Sequence, residues 1–540
     1  MRWSTAVRLT VLCGLALNLC GCHLSQWLQN GFKVGPNYQP TPAAVADNWI
    51  DSDDSRVISQ PPEYYDWWSV LQDPVINHLV ETAYRQNLTV RQAGLRVMQA
   101  RAQRAIAAGN LFPQSQTISG SYAREQISIV QQPLLAPLPE FRRSFDAWSL
   151  AGNLSWELDI WGRFRRDVES ADADLDVAVQ EYDAILVCLI AEVATAYTDI
   201  RTFEQRLIYA RRNVQIQEQS LELTKTQADE GKTGFISVHL STSNLDDTRA
   251  SIPPLESGLR QANNRLCTLL GIPPVDLKAM LGQGNIPNAP AEAAVGIPAD
   301  LLRRRPDVRA AESQVAAQSA QIGIAISDFY PSIAVTGQIS TQAEEFRDLF
   351  RPLSVGGSIG PSFSWNVLNY GRIRNNVRFQ DARFQELVAN YQNTVLTANQ
   401  EVEDALVAFL KTQQQVKFLA GTVNATRSAL ELELLNFKEG ETDFTGVFVL
   451  QGDLAGKQDQ LAAAQGDVVT SLIAMYKALG GGWQIRCPNV QPRGITAPEP
   501  APADFKRLPP ASPEPVPAPT APQAFRGPAL EAIRTYGDRR

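Results

Sequence analysis

Residues Leu175 to Val214 read LDVAVQEYDAILVCLIAEVATAYTDIRTFEQRLIYARRNV, and their apolar spacing decides the fold. Leu175, Val179, Tyr182, Leu186, Leu189, Val193, Ala196, Ile200, Phe203, Leu207, Ala210 and Val214 alternate steps of four and three. Such a stripe belongs to a helix that buries one narrow face against neighbouring helices. Neither Pro nor Gly occurs between Gly162 and Gly231, so the spacing predicts one helix over 164–230. A helix of that span would reach roughly 100 Å at 1.5 Å per residue, while a compact chain of this length is only about 60 Å across. An elongated coiled-coil molecule is expected.

The seam recurs 209 residues later as Phe384, Val388, Tyr391, Val395, Ala398, Val402, Ala405, Phe409, Thr412, Val416, Leu419 and Val423, with Thr412 the one polar member. At the same offset, Trp156 and Trp161-Gly162-Arg163 match Trp365 and Tyr370-Gly371-Arg372, and Glu230-Gly231 matches Glu439-Gly440. Upstream the offset is 218, aligning Phe112-Pro113 with Tyr330-Pro331. Self-similarity over this length reads as an internal duplication. The first repeat covers 64–272 with its long helix at 164–230. The second covers 301–483 with its long helix at 373–439, and a Pro/Gly/Ala-rich linker, 273–300, joins them. The change of offset by nine is expected in a single loop between Pro113 and Trp156.

Between the helices the period changes to two. Trp148, Leu150, Gly152, Leu154, Trp156 and Leu158 alternate with Ser149, Ala151, Asn153, Ser155 and Glu157. In the second repeat Val355, Gly357, Ile359, Pro361, Phe363 and Trp365 alternate with small polar residues. Each repeat thus carries a hairpin, with strands near 114–123 and 146–158, then 332–340 and 354–365, joined by charged, proline-bearing loops at 124–143 and 341–352. Ten-residue strands with one greasy face suit a tilted membrane crossing, and Trp148, Trp156, Phe363 and Trp365 suit interfacial girdles. Four strands cannot close a barrel, so copies of the chain must pool them, and a trimer supplies twelve. After each hairpin the long helix runs out to a break at Gly231 or Gly440. There the chain turns into a shorter return helix, the first expected to be kinked by Pro253-Pro254.

Around this body lie segments of other character. Residues 1–21 pair Arg2 and Arg8 with an apolar run from Leu9 to Leu19, the pattern of a secretory signal. Leu19-Cys20-Gly21-Cys22 fits lipid attachment at Cys22, whose acyl chains would anchor the extended arm 22–63 to a membrane. Beyond Trp483 the periodicity ends, and 13 of the 34 prolines fall between Pro488 and Pro528. The tail 484–540 therefore reads as disordered or extended, without a core. The chain is 44% hydrophobic with a net charge of −8 and no basic patch, so nucleic acid is not an expected partner. Cys188, Cys267 and Cys487 lack metal-ligand spacing, the three histidines are scattered, and no nucleophile elbow or phosphate loop occurs. No metal site, no cofactor and no enzymatic activity are expected.

Specific runs resemble a known family. Lys33-Val34-Gly35-Pro36-Asn37-Tyr38-Gln39-Pro40 comes after the lipid cysteine, Trp67-Trp68 precedes Asp73-Pro74, Ile297 to Val308 contains Leu301-Leu302-Arg303-Arg304-Arg305-Pro306-Asp307, and Tyr476 to Trp483 reads YKALGGGW. These resemble the outer membrane efflux proteins of the TolC family, in particular the lipoprotein branch serving resistance-nodulation-division pumps. The resemblance implies a mainly helical fold with a membrane β-barrel part. It further implies a homotrimer in which twelve strands continue into a twelve-helix α-barrel, forming a passive duct in the outer membrane. A periplasmic adaptor and an inner-membrane pump would load it, with the adaptor meeting the turns at Gly231 and Gly440. A carboxylate ring at the periplasmic gate is also implied, because a threefold axis would bring identical acids together in a narrow throat. Where many relatives carry Asp after Val-Leu, this chain has Val449-Leu450-Gln451, leaving Asp443 and Asp453 as the candidates. The competing readings are a duct for protein secretion and a lipid-anchored coiled-coil scaffold without a pore.

Overall fold

The computed structural model describes residues 27–58, 65–128, 130, 144–300 and 304–487. The expected signal, Cys22, most of the first hairpin loop and nearly all of the proline-rich tail lie outside these residues.

Helix α1 spans Pro74–Gln86, with Pro74 at the first turn and the Asp73 side chain accepting from the Val75 N–H. Helix α2, Leu88–Gly109, is capped by Asn87, which accepts from Thr89 and Val90. The long helix α3 is Arg163–Asp229 and its return α4 is Phe235–Leu269. The second half supplies α5, Pro306–Ser327, α6, Arg372–Glu439, and α7, Phe444–Ala478. Matching helices have matching lengths: 22 residues for α2 and α5, 67 and 68 for α3 and α6, and 35 for α4 and α7. Helix α4 runs unbroken through Pro253-Pro254. Each proline removes one hydrogen bond to the carbonyl four residues back. Those carbonyls belong to Arg249 and Ala250, both solvent-exposed residues.

Packing sets the lateral order. Helix α3 lies against α1, α2 and α4 on one side and α5 and α7 on the other, while α6 packs on α5 and α7. The sequence of layers is therefore α2/α4, α3, α5/α7, α6. The main core joins Leu186, Ile190, Val193 and Tyr197 of α3 to Leu266 of α4, Phe409 of α6 and Ile473 of α7. Trp67, from the Trp67-Trp68 run, stacks on Tyr476 with centroids 5.2 Å apart.

Four antiparallel strands form one sheet in the order β1 (Ser115–Gln126), β2 (Ser144–Leu158), β3 (Ser332–Ala343), β4 (Val355–Ser364). The two hairpins fuse through β2 and β3, with Trp156 opposite Val335. Strands thus keep the same lateral order as the helices they adjoin, β1 leaving α2, β2 entering α3, β3 leaving α5 and β4 entering α6. Two expectations need correction. The first strand continues three residues into the expected loop, because Arg124 pairs with Asp146 across the ladder at 2.9 Å and Tyr122 Oη donates to the same carboxylate at 3.1 Å. The nine-residue change of offset is also not confined to one loop. β1 and β3 begin and end 217 apart, not 218, so one extra residue, Gln114, sits between Pro113 and Ser115. Its side chain takes a strand-like place: Oε1 accepts from the Glu157 N–H at 2.7 Å and Nε2 donates to the Glu157 carbonyl at 3.2 Å.

The recognisable motifs fasten this frame. The Val34 N–H donates to the Trp161 carbonyl at 2.9 Å, and Arg166 returns bonds to the carbonyls of Val34 and Gly35. Gly35, at φ +85°, lies so close to Gly323 that a Cβ would sit 2.5 Å from its Cα. Arg305 is buried beside Asp307 and Glu401 and donates to the Ala478 carbonyl at 2.8 Å, closing the last turn of α7. Arg201 performs the same service for the linker, donating to the carbonyls of Leu281 and Gly282.

Candidate channel wall and helical tips

In an antiparallel ladder, residues directly opposite each other point to the same face. The register therefore assembles one continuous apolar face across all four strands. Ile118 lies beside Gly152, Gly152 beside Ile339, and Ile339 beside Gly357. Leu154 lies beside Gly337, which faces Ile359 on β4. Glycine repeatedly stands opposite a branched side chain, so the face is filled without crowding. The other face carries Ser119, Ser121, Ser149, Asn153, Thr336, Gln338, Ser358 and Ser362, small and polar throughout. No helix among the described residues is long and apolar enough to cross a membrane.

The residues expected to form girdles fall at two levels. At the loop end Trp148 packs on Tyr122 at 4.5 Å and on Phe346 at 5.0 Å. At the helix end Trp156 donates to the Leu111 carbonyl, Trp365 to that of Phe329, and Trp161 stacks on Tyr330. Trp148 and Trp156 are eight residues apart on one strand, about 26 Å along it at ~3.3 Å per residue. At a barrel tilt of about 35–45° this spans about 20 Å of height, most of an apolar band about 25 Å tall. Phe363, 77% exposed, lies on the apolar face near the lower level. Trp27 at the start of the arm joins that level, donating to the Ile160 carbonyl at 3.2 Å and packing on Trp161 at 5.6 Å.

At the far ends of the long helices the chain turns at Gly231 (φ +72°) and Gly440 (φ +78°), both with open space where a Cβ would stand. The two turns lead into unlike surroundings. Phe444, opening α7, is wholly buried against Phe437 and continues into an apolar seam with Val423, Leu430, Val447 and Leu454. Phe235, its counterpart opening α4, is 69% exposed, and Ile236 beside it is equally bare. The reason is a single exchange: Phe437 has Ala228 as its counterpart, too small to cover a ring. Sequence reading missed this pair, although that Phe/Ala mismatch at the duplicated position was visible.

Asp443 is the N-cap of α7, its carboxylate accepting from the Thr445 N–H at 2.9 Å. Asp453 is exposed on α7 and makes no ion pair within the described residues. Gln451 is buried, donating to Ser220 Oγ at 2.7 Å and accepting from Asn244. It belongs to a polar seam joining α7 to α3 and α4, with Asn213 donating to Gln458 at 2.9 Å and Arg206 bidentate to Asp459 at 2.7 and 2.9 Å. The signal for this seam was present. The apolar stripe of α3 stops at Val214, and Asn213, Gln217, Ser220 and Thr224 take over its spacing. A cleft of about 540 Å³ opens beside the seam, between Pro254 on α4 and Gly452 and Gly456 on α7. Among the described residues no cluster of His, Cys, Asp or Glu has the geometry of a metal site.

An open sheet with one lipid-compatible and one hydrophilic face, carried on a trunk of long helices, defines the class of outer-membrane channel subunits. The chain belongs to the outer membrane efflux protein family, whose sequence model matches residues 79–272 and 297–481. It is 30% identical over 465 residues to Nodulation protein T of Rhizobium leguminosarum bv. trifolii, covering 84% of this chain and 96% of that one. To the toluene efflux pump outer membrane protein TtgF of Pseudomonas putida it is 29% identical, covering 87% and 97%. The solved structure of the outer-membrane channel OprN superposes with a TM-score of 0.77 at 31% identity, over 84% of this chain and 99% of that one.

Proposed function

We propose that this protein is the outer-membrane duct of a tripartite efflux system, passive itself and loaded by a periplasmic adaptor and an inner-membrane pump of the resistance-nodulation-division class. One observation carries the reading: among the described residues the sheet is a strip with a greasy face, a hydrophilic face and two unpaired edges. Unpaired strand edges cannot persist in lipid, where each bare backbone group costs several kcal/mol. Closure must come from other copies, and three strips of four strands make a twelve-strand barrel with the small polar residues lining its lumen. The helices carry the same logic, since α2/α4 and α6 are the outermost layers of the trunk in the same lateral order, with the N-terminal arm laid along part of α6.

The turns at Gly231 and Gly440, with Phe235 and Ile236 beside the first, are the adaptor-facing tips. The gate ring falls to Asp453, or to Asp443 with its second duty as a helix cap. A relative named for toluene efflux supports small molecules as cargo. The test is twofold. Purified protein in planar bilayers should conduct, and a deletion strain should lose export of dyes and antibiotics. A scaffold without a pore predicts neither, and a protein-secretion duct predicts conductance with drug export intact.

A further inference from the structure

Strand β2 continues to Leu158 while its counterpart β4 stops at Ser364, three residues short of the position equivalent to Leu158, which is Val367. The reason lies in the partners. Trp156, Glu157 and Leu158 have already run past the end of β1, whose Ser115 sits opposite Ser155. Their strand partner there is β3, opposite Val335, Ala334 and Ile333, with the Gln114 side chain bonding the Glu157 backbone on the other side. Trp365, Asn366 and Val367 have no such neighbour within the described chain. Trp365 is 54% exposed, Val367 67% and Leu368 82%, and the Val367 N–H turns back on the Trp365 carbonyl at 3.0 Å.

The internal β2–β3 pairing is a template for what is missing. Moving β2 forward by 209 gives β4, and moving β3 back by 217 gives β1. We propose that β4 pairs with β1 of a second copy in the register this template dictates, with Phe363 opposite Gly120, Trp365 opposite Ile118 and Val367 opposite Gln116. Residues 365–367 become strand only in that assembly. The proposal rests on the shared-barrel reading and adds its register and an ordering step. Three features agree with it. Apolar and polar faces run continuously across the new seam, since Phe363 and Gly120 both lie on the greasy side. A large side chain again faces a glycine, as Leu154 faces Gly337 and Ile339 faces Gly152 inside the chain. The local turn at Val367 exchanges one weak backbone bond for ladder bonds that β2 already makes at the same place.

Cysteine pairs test the register on the polar face. Directly opposite residues are about 5 Å apart and those two residues off about 7–8 Å, while a disulfide needs Cα atoms within about 7 Å. In the full-length chain, S121C/S362C should give covalent oligomers on oxidation, whereas S119C/S362C and A123C/S362C should not, with the single variants as controls for the native cysteines. Covalent oligomers from a slipped pair, or from none of the three while the unsubstituted protein still conducts, overturn the register. Loss of conductance and of a heat-modifiable oligomer in the unsubstituted protein would instead defeat the barrel reading beneath it.

Discussion

The indole Nε1 of Trp365 donates to the backbone carbonyl of Phe329 at 3.0 Å. Trp156 makes the counterpart bond to Leu111 at 3.2 Å, so each half ties the foot of its second strand to the helix-to-strand turn of its first. Replacing either ring by Phe keeps the aromatic surface and removes the bond, at about 1 kcal/mol each. Trp156→Phe and Trp365→Phe should each lower the temperature at which the detergent-resistant oligomer dissociates, and the double variant should lower it additively. An unchanged dissociation temperature in the double variant rejects this role.

Asp443 separates structure from gating. As an N-cap its loss to Ala should cost roughly 1 kcal/mol of helix stability, whereas Asp443→Asn keeps a capping oxygen and deletes the charge. If Asp443 forms the ring, the Asn variant alters cation preference in bilayers with melting unchanged. If Asp453 forms it, only Asp453→Asn does so. Neither variant changing selectivity removes both residues from the gate.

Phe235 and Ile236 present bare apolar surface at the tip of the first half. Phe235→Asp with Ile236→Asp should abolish drug export in cells while leaving oligomer and conductance intact, because the pair faces outward. Normal export by this variant would place the adaptor contact elsewhere.

Gly466 on α7 meets Thr202 on α3 so closely that a Cβ would lie 2.3 Å from Thr202 Oγ1. Gly466→Ala should therefore destabilise by about 1–3 kcal/mol, the usual range for overpacking. Thr202→Ala in the same chain should recover most of it. A Gly466→Ala protein melting like the parent would show that the two helices part without cost.

Arg486 pairs with Asp183, which is fully buried. Burial pushes the Asp183 carboxyl above its ordinary range, against the opposing pull of Arg486. For an acid with a raised folded pKa, the stability contribution is present at low pH and lost as pH rises through that pKa. Arg486→Ala removes the opposing pull and raises the carboxyl further. The variant's melting deficit should be large near pH 7.5, roughly 3–5 kcal/mol for an orphaned buried charge, and shrink near pH 5. An equal deficit at both pH values would contradict this.

The helical trunk was legible because a seam of forty residues admits only one period. Asn87, Asp73 and Pro74 begin their helices for equally local reasons of capping and fixed φ. Gln114 was not legible, since an inserted residue changes strand parity without changing any motif. It became visible only through the bonds its side chain makes to the Glu157 backbone. The different fates of Phe235 and Phe444 turn on what a neighbouring helix brings, Phe437 in one half and Ala228 in the other, a mismatch visible in the sequence whose meaning depends on knowing that those positions face the two rings.

By itself the sequence determined the elements and their duplication, because apolar period and end-capping act within a few residues of chain. Only the tertiary structure decided that the hairpins join through β2 and β3, that glycines meet branched side chains across the ladder, and that β1 and β4 are left as open edges among the described residues. Those facts depend on which backbone lies beside which, and periodicity along a chain carries no record of its lateral neighbours.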